Sequence, residues 1–365
     1  MADVKNLEAL KTREQAEAGV AVPFDEATAT ALRTAITPVG GRRAELFSTI
    51  RQGKSTNALT KLRATEGKNA TIDLVTGEAT IKSGNLILKI PNYAQLTGLK
   101  TSTYQLLDAI TIALTETGAK SPTVVLSLRE YMERRGLKDR KEARKQITAD
   151  LEVLLKSSLS WEEKRKGGSI PYAGVNITDS WMWADAKKTA IVYTFGQTFY
   201  NVLLGYPVMP YPAQLQTLNS KRNPNSYYLL RRIAEHKNMN VGKANEDIIA
   251  VKTLLAVAPF IPSIEEVMVG NRNIADRIIS PFERDMDALS DTLGWSYCHS
   301  NGEKLTTAEL PNSSYDFFTS LMVKTEWKSY PDQTARLERK AERLELTKKK
   351  KRTTSKKKAS ENPIE

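Results

Sequence analysis

Arginine and asparagine can each fork two hydrogen bonds onto the edge of a base, while lysine and arginine near a helix start can grip phosphate oxygens. The chain sets out both kinds of side chain at helical spacing. Arg272, Asn273, Arg277 and Arg284 lie along one run, Arg140, Lys141, Arg144 and Lys145 along another, and Lys164, Arg165 and Lys166 form a third basic cluster. In the first run Ile274, Ile278, Phe282, Met286, Leu289 and Leu293 recur every three or four residues, so they make a buried stripe that leaves the arginines outside it. Arg272, Asn273 and Arg277, nearest the helix start, are expected to read bases. Arg284 sits beside Asp285, and a solvated helix face suits it equally well. The second run turns Ala143, Ile147, Leu151, Leu154 and Leu155 inward and its cations outward, as a phosphate grip that carries no sequence information would.

Covalent chemistry is poorly supplied. A nicking enzyme needs a metal held by histidines one residue apart and a nucleophilic tyrosine, but His236 and His299 are 63 residues apart. Asp285 and Asp287, two apart on a helix, point in different directions and make a poor metal pair. Cys298 is the single cysteine, which excludes internal disulfides and Cys-rich zinc sites. Gly53-Lys54-Ser55-Thr56 resembles the end of a phosphate-binding loop, yet Ser48 stands where the first glycine belongs and no apolar strand precedes it. The expectation is binding without catalysis, cofactor or metal.

The 365 residues suit two or three domains, and the 40% apolar fraction can build their cores. The net charge of +12 favours a polyanionic partner. Eight cations against Glu361 and Glu365 give residues 348–365 a charge of +6, and the rest of the chain carries the other +6. The N-terminus is charged and no apolar run is long enough to span a membrane, so the expected location is cytoplasmic.

The elements that must position these residues occur twice. Ser127-Leu-Arg-Glu-Tyr-Met132 and Ser263-Ile-Glu-Glu-Val-Met268 both read as capping boxes that start a helix. Ser102-Thr103-Tyr104-Gln105-Leu106-Leu107 matches Asn225-Ser226-Tyr227-Tyr228-Leu229-Leu230, and Leu159-Ser160-Trp161 matches Leu293-Gly294-Trp295. The offsets are 136, 123 and 134 residues, in one order. Helix, short helix, basic helix and aromatic-led strand make the parts list of a winged helix-turn-helix, so two tandem modules are expected in an α+β chain.

Along the chain, residues 1–90 form an N-terminal extension, with short amphipathic helices that include Leu46, Phe47 and Ile50, then two or three strands between Thr71 and Ile90. The first module takes 91–205: a helix over 101–117, a strand at 123–126, a helix ended by Gly136 and another capped by Asp139. A strand then starts at Trp161, with a wing tip at 164–168 and a partner strand at 191–195. Residues 206–212 read as a stiff proline-rich connector. The second module takes 206–335, with a bend at Ser280 before Pro281, where Glu283 can complete a new capping box, and a hairpin wing at Asn301-Gly302. Residues 336–365 read as helical, then disordered and basic.

From about Pro91 to Arg339 the chain resembles the initiator replication proteins of iteron-type plasmids and related mobile elements. Tyr104-Gln105-Leu106-Leu107 and Tyr227-Tyr228-Leu229-Leu230 look like that family's first-helix signatures. Arg277-Ile278-Ile279-Ser280-Pro281-Phe282-Glu283 looks like its proline-containing recognition helix. The resemblance implies binding to direct repeats in double-stranded DNA at an origin, opening of adjacent DNA and recruitment of a host initiator and helicase. It also implies autoregulation by a homodimer joined through the first module. The competing reading is a transcription or partition regulator that uses the same modules.

Overall fold

A computed structural model describes residues 46–53, 56–57, 59, 61, 71–83, 86–91, 99–165, 168–269, 273–305, 314–333 and 338. The described residues fall into two compact units: those within Asp73–Ala79 and Lys89–Tyr206, and those within Ala44–Ile72, Thr80–Leu88 and Pro207–Glu365. Four strands are described before Thr101: β1 (Phe47–Arg51), β2 (Thr71–Ile72), β3 (Ala79–Ser83) and β4 (Leu86–Ile90). The expected strands between 71 and 90 are present. Phe47 and Ile50, expected in a helix, lie in a strand instead. The expected extension at 1–45 and all of the expected tail but residue 338 lie outside the described residues.

The first unit is built around α1 (Thr101–Glu116). Periodicity marks Tyr104, Leu107, Ile110 and Leu114 as its inner face, but Leu106, Ala109 and Ile112 are buried as well. A helix apolar all round belongs in a core, and this one packs on α3 and β5. Next come β5 (Thr123–Ser127), α2 (Leu128–Arg135) and α3 (Arg140–Lys156). The Ser127 hydroxyl accepts from the Glu130 N–H at 3.4 Å to start α2. Gly136 ends it in the left-handed conformation at φ 63°. The Asp139 carboxylate then caps α3, accepting from the N–H groups of Lys141 and Glu142 at 2.8 and 3.0 Å.

After α3 the chain departs from expectation. β6 (Ser158–Arg165) pairs with β7 (Gly168–Asn176), not with residues 191–195. Arg165 faces Gly168 across that ladder. β8 (Thr178–Trp183) and β9 (Ala190–Phe195) follow, and the sheet order is β5-β9-β8. Ile191 to Phe195 therefore finds its partners in β5 and β8, because its alternate residues are apolar on both faces and a central strand buries both. α4 (Gln197–Leu204) closes the unit behind Gly196, where a Cβ atom would meet the Asn176 carbonyl oxygen at 2.1 Å.

The second unit opens with β10 (Val208–Pro212), which pairs with β1 over five residues. The segment expected as a stiff connector is thus a strand, and Tyr211 within it is buried. α5 (Gln214–Thr217) leads into α6 (Ser226–Asn240), which buries Tyr227, Leu230, Ile233 and Ala234 as expected. Then come β11 (Ile248–Ala250), α7 (Val251–Leu255) and α8 (Ile264–Val269). Ser263 and Glu266 complete a reciprocal capping box at the start of α8, with bonds of 2.6 and 3.3 Å.

A π-helical turn (Ala275–Ile279) then runs directly into α9 (Ser280–Asp287). The irregularity expected at Ser280 is real, but it is not a cap. Ser280 stays helical and its N–H reaches back five residues to the Ala275 carbonyl. Pro281 has no N–H, and its ring needs room from the preceding turn, which the wider π geometry provides. Glu283, freed from any capping role, accepts from the Tyr297 hydroxyl at 3.1 Å. β12 (Leu293–Cys298), α10 (Tyr315–Ser320) and β13 (Met322–Trp327) complete a sheet of order β11-β13-β12. Phe282 and Phe318 meet edge to face in the core beneath it, with centroids 5.6 Å apart.

Both units share a core order of helix (α1 or α6), strand, helices, then two strands that join the first strand in one sheet with the last strand central. The first unit inserts β6 and β7 after its basic helix, and the second has three helices before β12 and α10 after it. In each, a buried aspartate on the later basic helix grips the start of the first helix. In the first unit the Asp150 carboxylate accepts from the Ser102 and Thr103 hydroxyls at 3.1 and 2.6 Å. In the second, Asp285 accepts from the Asn225 backbone and side-chain N–H groups at 2.9 and 2.7 Å, and the Ser226 hydroxyl donates to the Asp285 carbonyl.

Two stability predictions follow from these clasps. Burial pushes Asp150 up to about 6 against the partial relief of its two hydroxyl donors. An acid whose pKa is higher folded than unfolded takes up a proton on folding, so its contribution is greatest below about pH 4 and is lost as pH rises through about 6. Asp150→Asn should flatten that dependence, with a gain of roughly 2 to 3 kcal/mol above pH 7 in urea unfolding. Asn225→Ala, which strips the side-chain amide donor from a fully buried carboxylate and leaves the backbone N–H, should lose roughly 1 to 3 kcal/mol in the same measurement.

Candidate nucleic-acid interface

The exposed face of α3 begins with Arg140 and Lys141, and Lys145 follows one turn later, while Arg144 is half-buried beside them. Opposite this face lies the turn between β8 and β9. Lys141, Arg144, Lys145, Lys187 and Lys188 line one open groove between helix and turn. The turn is held in shape from both sides. The Asp185 carboxylate accepts from the Thr189 N–H at 3.2 Å and from the Thr189 hydroxyl, and that hydroxyl bond holds the acid below its ordinary range. The Arg144 guanidinium donates to the Lys187 carbonyl, so the helix itself fixes the turn.

Lys188 adopts a left-handed backbone at φ 52°, rare for a residue with a side chain, and its ammonium lies 5.8 Å from the Trp183 ring centroid. Arg140, Lys141, Lys145 and Lys187 make no ion pair among the described residues. Five cations in one groove, largely uncompensated, create a field suited to successive phosphates.

Sequence reading missed Lys187 and Lys188. The signal for them is Asp185-Ala186-Lys187-Lys188 between two strand-like runs, but the basic cluster at 164–168 has the stronger composition of a wing tip. Lys164 and Arg165 pair with Ser169 and Gly168 in the β6–β7 ladder. Their side chains, and all of Lys166, lie outside the described residues.

In the second unit Arg277 is exposed on the π-helical turn and makes no ion pair among the described residues. Asn273 sits one turn earlier and acts as a cap: its amide oxygen accepts from the Asp276 N–H at 3.1 Å, and its amide N–H donates to the Asp276 carboxylate. Arg272 lies outside the described residues. The Arg284 guanidinium bonds Asp285 Oδ1 at 3.0 and 3.1 Å, so it neutralises the buried carboxylate of the clasp while its own side chain stays half exposed.

The remaining chemistry-bearing residues have structural partners. His236 Nε2 lies 2.9 Å from the Asn245 carbonyl, the His299 N–H closes the hairpin turn onto the Glu303 carbonyl, and Cys298 is buried. Among the described residues no group of three or more His, Cys, Asp or Glu could hold a metal ion. No described helix is long and apolar enough to cross a membrane.

No protein-family model matches the chain, and no curated protein matches it. Among solved structures, domains 2 and 3 of RctB are similar over 73% of this chain and 98% of that one, at 11% identity and a TM-score of 0.40. A second structure of RctB domains 2–3 is similar over 75% of this chain and 97% of that one, at 10% identity and a TM-score of 0.40. The WH1 domain of MSBI1.176, a replication protein isolated from a multiple sclerosis patient, is similar over 35% of this chain and 92% of that one, at 15% identity and a TM-score of 0.25.

Replacing Lys187 and Lys188 together by alanine should weaken binding to random-sequence duplex and reduce the slope of log affinity against log salt by about 2, near 0.9 per phosphate contact. Fluorescence anisotropy over a salt series measures it. An unchanged slope would remove the turn from the interface.

Proposed function

We propose that the chain is a sequence-specific, double-stranded-DNA-binding replication initiator built from two tandem winged-helix modules. One observation carries this reading: in both units a helix, a strand, further helices and two more strands of the same sheet follow in that order with the last strand central, and each time the last helix before those strands, with the turn leading into it, carries exposed cations. The first unit inserts β6 and β7, and the second adds a third helix and α10. That order is the arrangement in which a winged helix-turn-helix sets its second helix into a major groove and its hairpin beside it. The boundaries 91–205 and 206–335 are our working limits for the modules.

The two modules divide the work. In the first, Arg140, Lys141, Arg144 and Lys145 hold phosphates and fix the register on the duplex, which gives affinity without sequence. In the second, Arg277 reads a base edge, and Arg272 and Asn273 are assigned the same task from their sequence positions. Asn273 must exchange its capping bond for a base to take part. Arg284, spent largely on Asp285, orders the helix more than it reads. No covalent step is assigned to any residue. Binding to origin repeats, opening of neighbouring DNA, host initiator and helicase recruitment, and a repressive homodimer all belong to this proposal through the resemblance set out above.

The test is a footprint of the purified protein on the DNA flanking its own gene, over a salt series. Evenly spaced protected direct repeats with nearby strand opening are expected. Protection confined to one inverted repeat would instead make the chain a transcription or partition regulator. In the same assay Arg277→Ala should lose roughly 1 to 3 kcal/mol on the specific site and relax base preference, whereas Lys145→Ala should weaken all sequences alike. Equal losses on specific and random DNA for Arg277→Ala would withdraw its reading role.

A further inference from the structure

The crevice beside α9 in the second unit has the opposite character to the groove beside α3. It is a cavity of about 360 Å³ lined by Glu283 and Asp287 from α9, Trp295, Ser296 and Tyr297 from β12, and Lys304 beyond the turn. That volume, at the small end of ligand sites, suits a single side chain. Its two carboxylates stand four residues apart on one helix, a like-charge spacing that destabilises a helix. Neutral donors hold both in place. The Tyr297 hydroxyl donates to Glu283 Oε1 at 3.1 Å, and the Trp295 indole N–H donates to Asp287 Oδ1 at 3.0 Å.

Neither acid has a cationic partner among the described residues. Lys304, the cation in the lining, bridges to Glu326 at 3.2 Å instead. Burial together with the neighbouring Asp287 charge raises the Glu283 pKa. Ser296 lines the cavity between the two aromatic residues, but its hydroxyl is buried away from solvent. A chain of net charge +12 has therefore built an electronegative cavity walled by two aromatic rings, whose centroids are 5.0 Å apart.

A phosphate backbone would be repelled here, and two carboxylates alone fall short of the oxygen ligands that calcium or magnesium demands. A guanidinium matches on every count. It is planar enough to lie against an indole, forks its N–H groups onto carboxylate oxygens, and sheds water more readily than an ammonium. We propose that this cavity is a docking site for an arginine side chain presented by a protein partner. Glu283 and Asp287 take the fork, and Trp295 and Tyr297 form the wall. The inference does not rest on the replication reading. Arg277 lies outside the cavity, so DNA and the arginine-bearing partner can be held together.

The test uses the full chain with 15N-labelled tryptophan indoles. The chain has five tryptophans, and Trp295→Phe assigns the resonance that matters. N-acetyl-argininamide should move the Trp295 indole signal saturably in the millimolar range, with N-acetyl-lysinamide clearly weaker and sodium chloride at matched ionic strength inert. Glu283→Gln with Asp287→Asn should weaken the arginine response on the order of tenfold. The other four indole signals report whether that variant folds, and Asp287→Asn alone, at the more exposed position, serves if it does not. Equal movement by lysinamide or salt, or an arginine response that survives in a folded variant, would overturn the proposal. So would saturation by a short duplex with no arginine response, since Glu283 or Asp287 would then be accepting from a base amino group.

Discussion

A helix can offer cations to a polyanion only if its opposite side is held firmly, and in both units a buried aspartate does the holding. Asp150 and Asp285 each sit on the core side of a basic helix and take hydrogen bonds from the first turn of the unit's first helix. A carboxylate in such a place has no tolerance for a shifted neighbour, because a lost donor leaves an uncompensated charge out of water. The crossing of the two helices is thereby over-determined. Ser102 and Asn225 occupy matching positions in the repeated segments, so the clasp is kept although the donors differ. The solutions also differ in quality. Asp285 receives two amide N–H groups and the Arg284 guanidinium, whereas Asp150 has two hydroxyl donors and one buried oxygen with no partner.

With helix and sheet held alike, the two units diverge in what they place beside the basic helix. In the first, the β8–β9 turn brings Lys187 and Lys188 to face Lys141 and Lys145, and Arg144 ties turn to helix. In the second, β12 brings Trp295 and Tyr297 against Glu283 and Asp287. One frame thus supplies a cationic groove in one copy and an anionic, aromatic cavity in the other. The π-helical turn adds a further local difference. It carries Arg277, and such a widened turn, forced by Pro281 downstream, changes the angle at which a side chain leaves the helix. A regular helix would aim Arg277 elsewhere.

Much of this frame was legible from residue types and spacing. Local rules settled the helix ends: Ser127, Asp139, Gly136 and Ser263 act through bonds to residues within about five positions, so neighbours in sequence are enough to specify them. The apolar stripe from Ile278 to Leu293 and the turn at Asn301-Gly302 were legible for the same reason. Strand partnership was not. Residues 191–195 pair with β5 and β8, and β1 finds β10 some 160 residues away along the chain, choices that depend on which edges are left open once the helices have packed. A run of five apolar residues carries no mark of its partner.

The sequence by itself therefore determined the repeated helical frame, the outward cations of α3 and the break at Pro281, because periodicity, capping and a missing N–H are local physics. Only the tertiary structure decided which charges act together. Lys188 joins Lys145 across 43 residues, Asn225 joins Asp285 across 60, and Arg284 is drawn off to that buried acid. Electrostatics falls off with distance through space and is blind to separation along the chain, so a groove, a clasp or a cavity exists only once the fold has brought its members within a few ångströms.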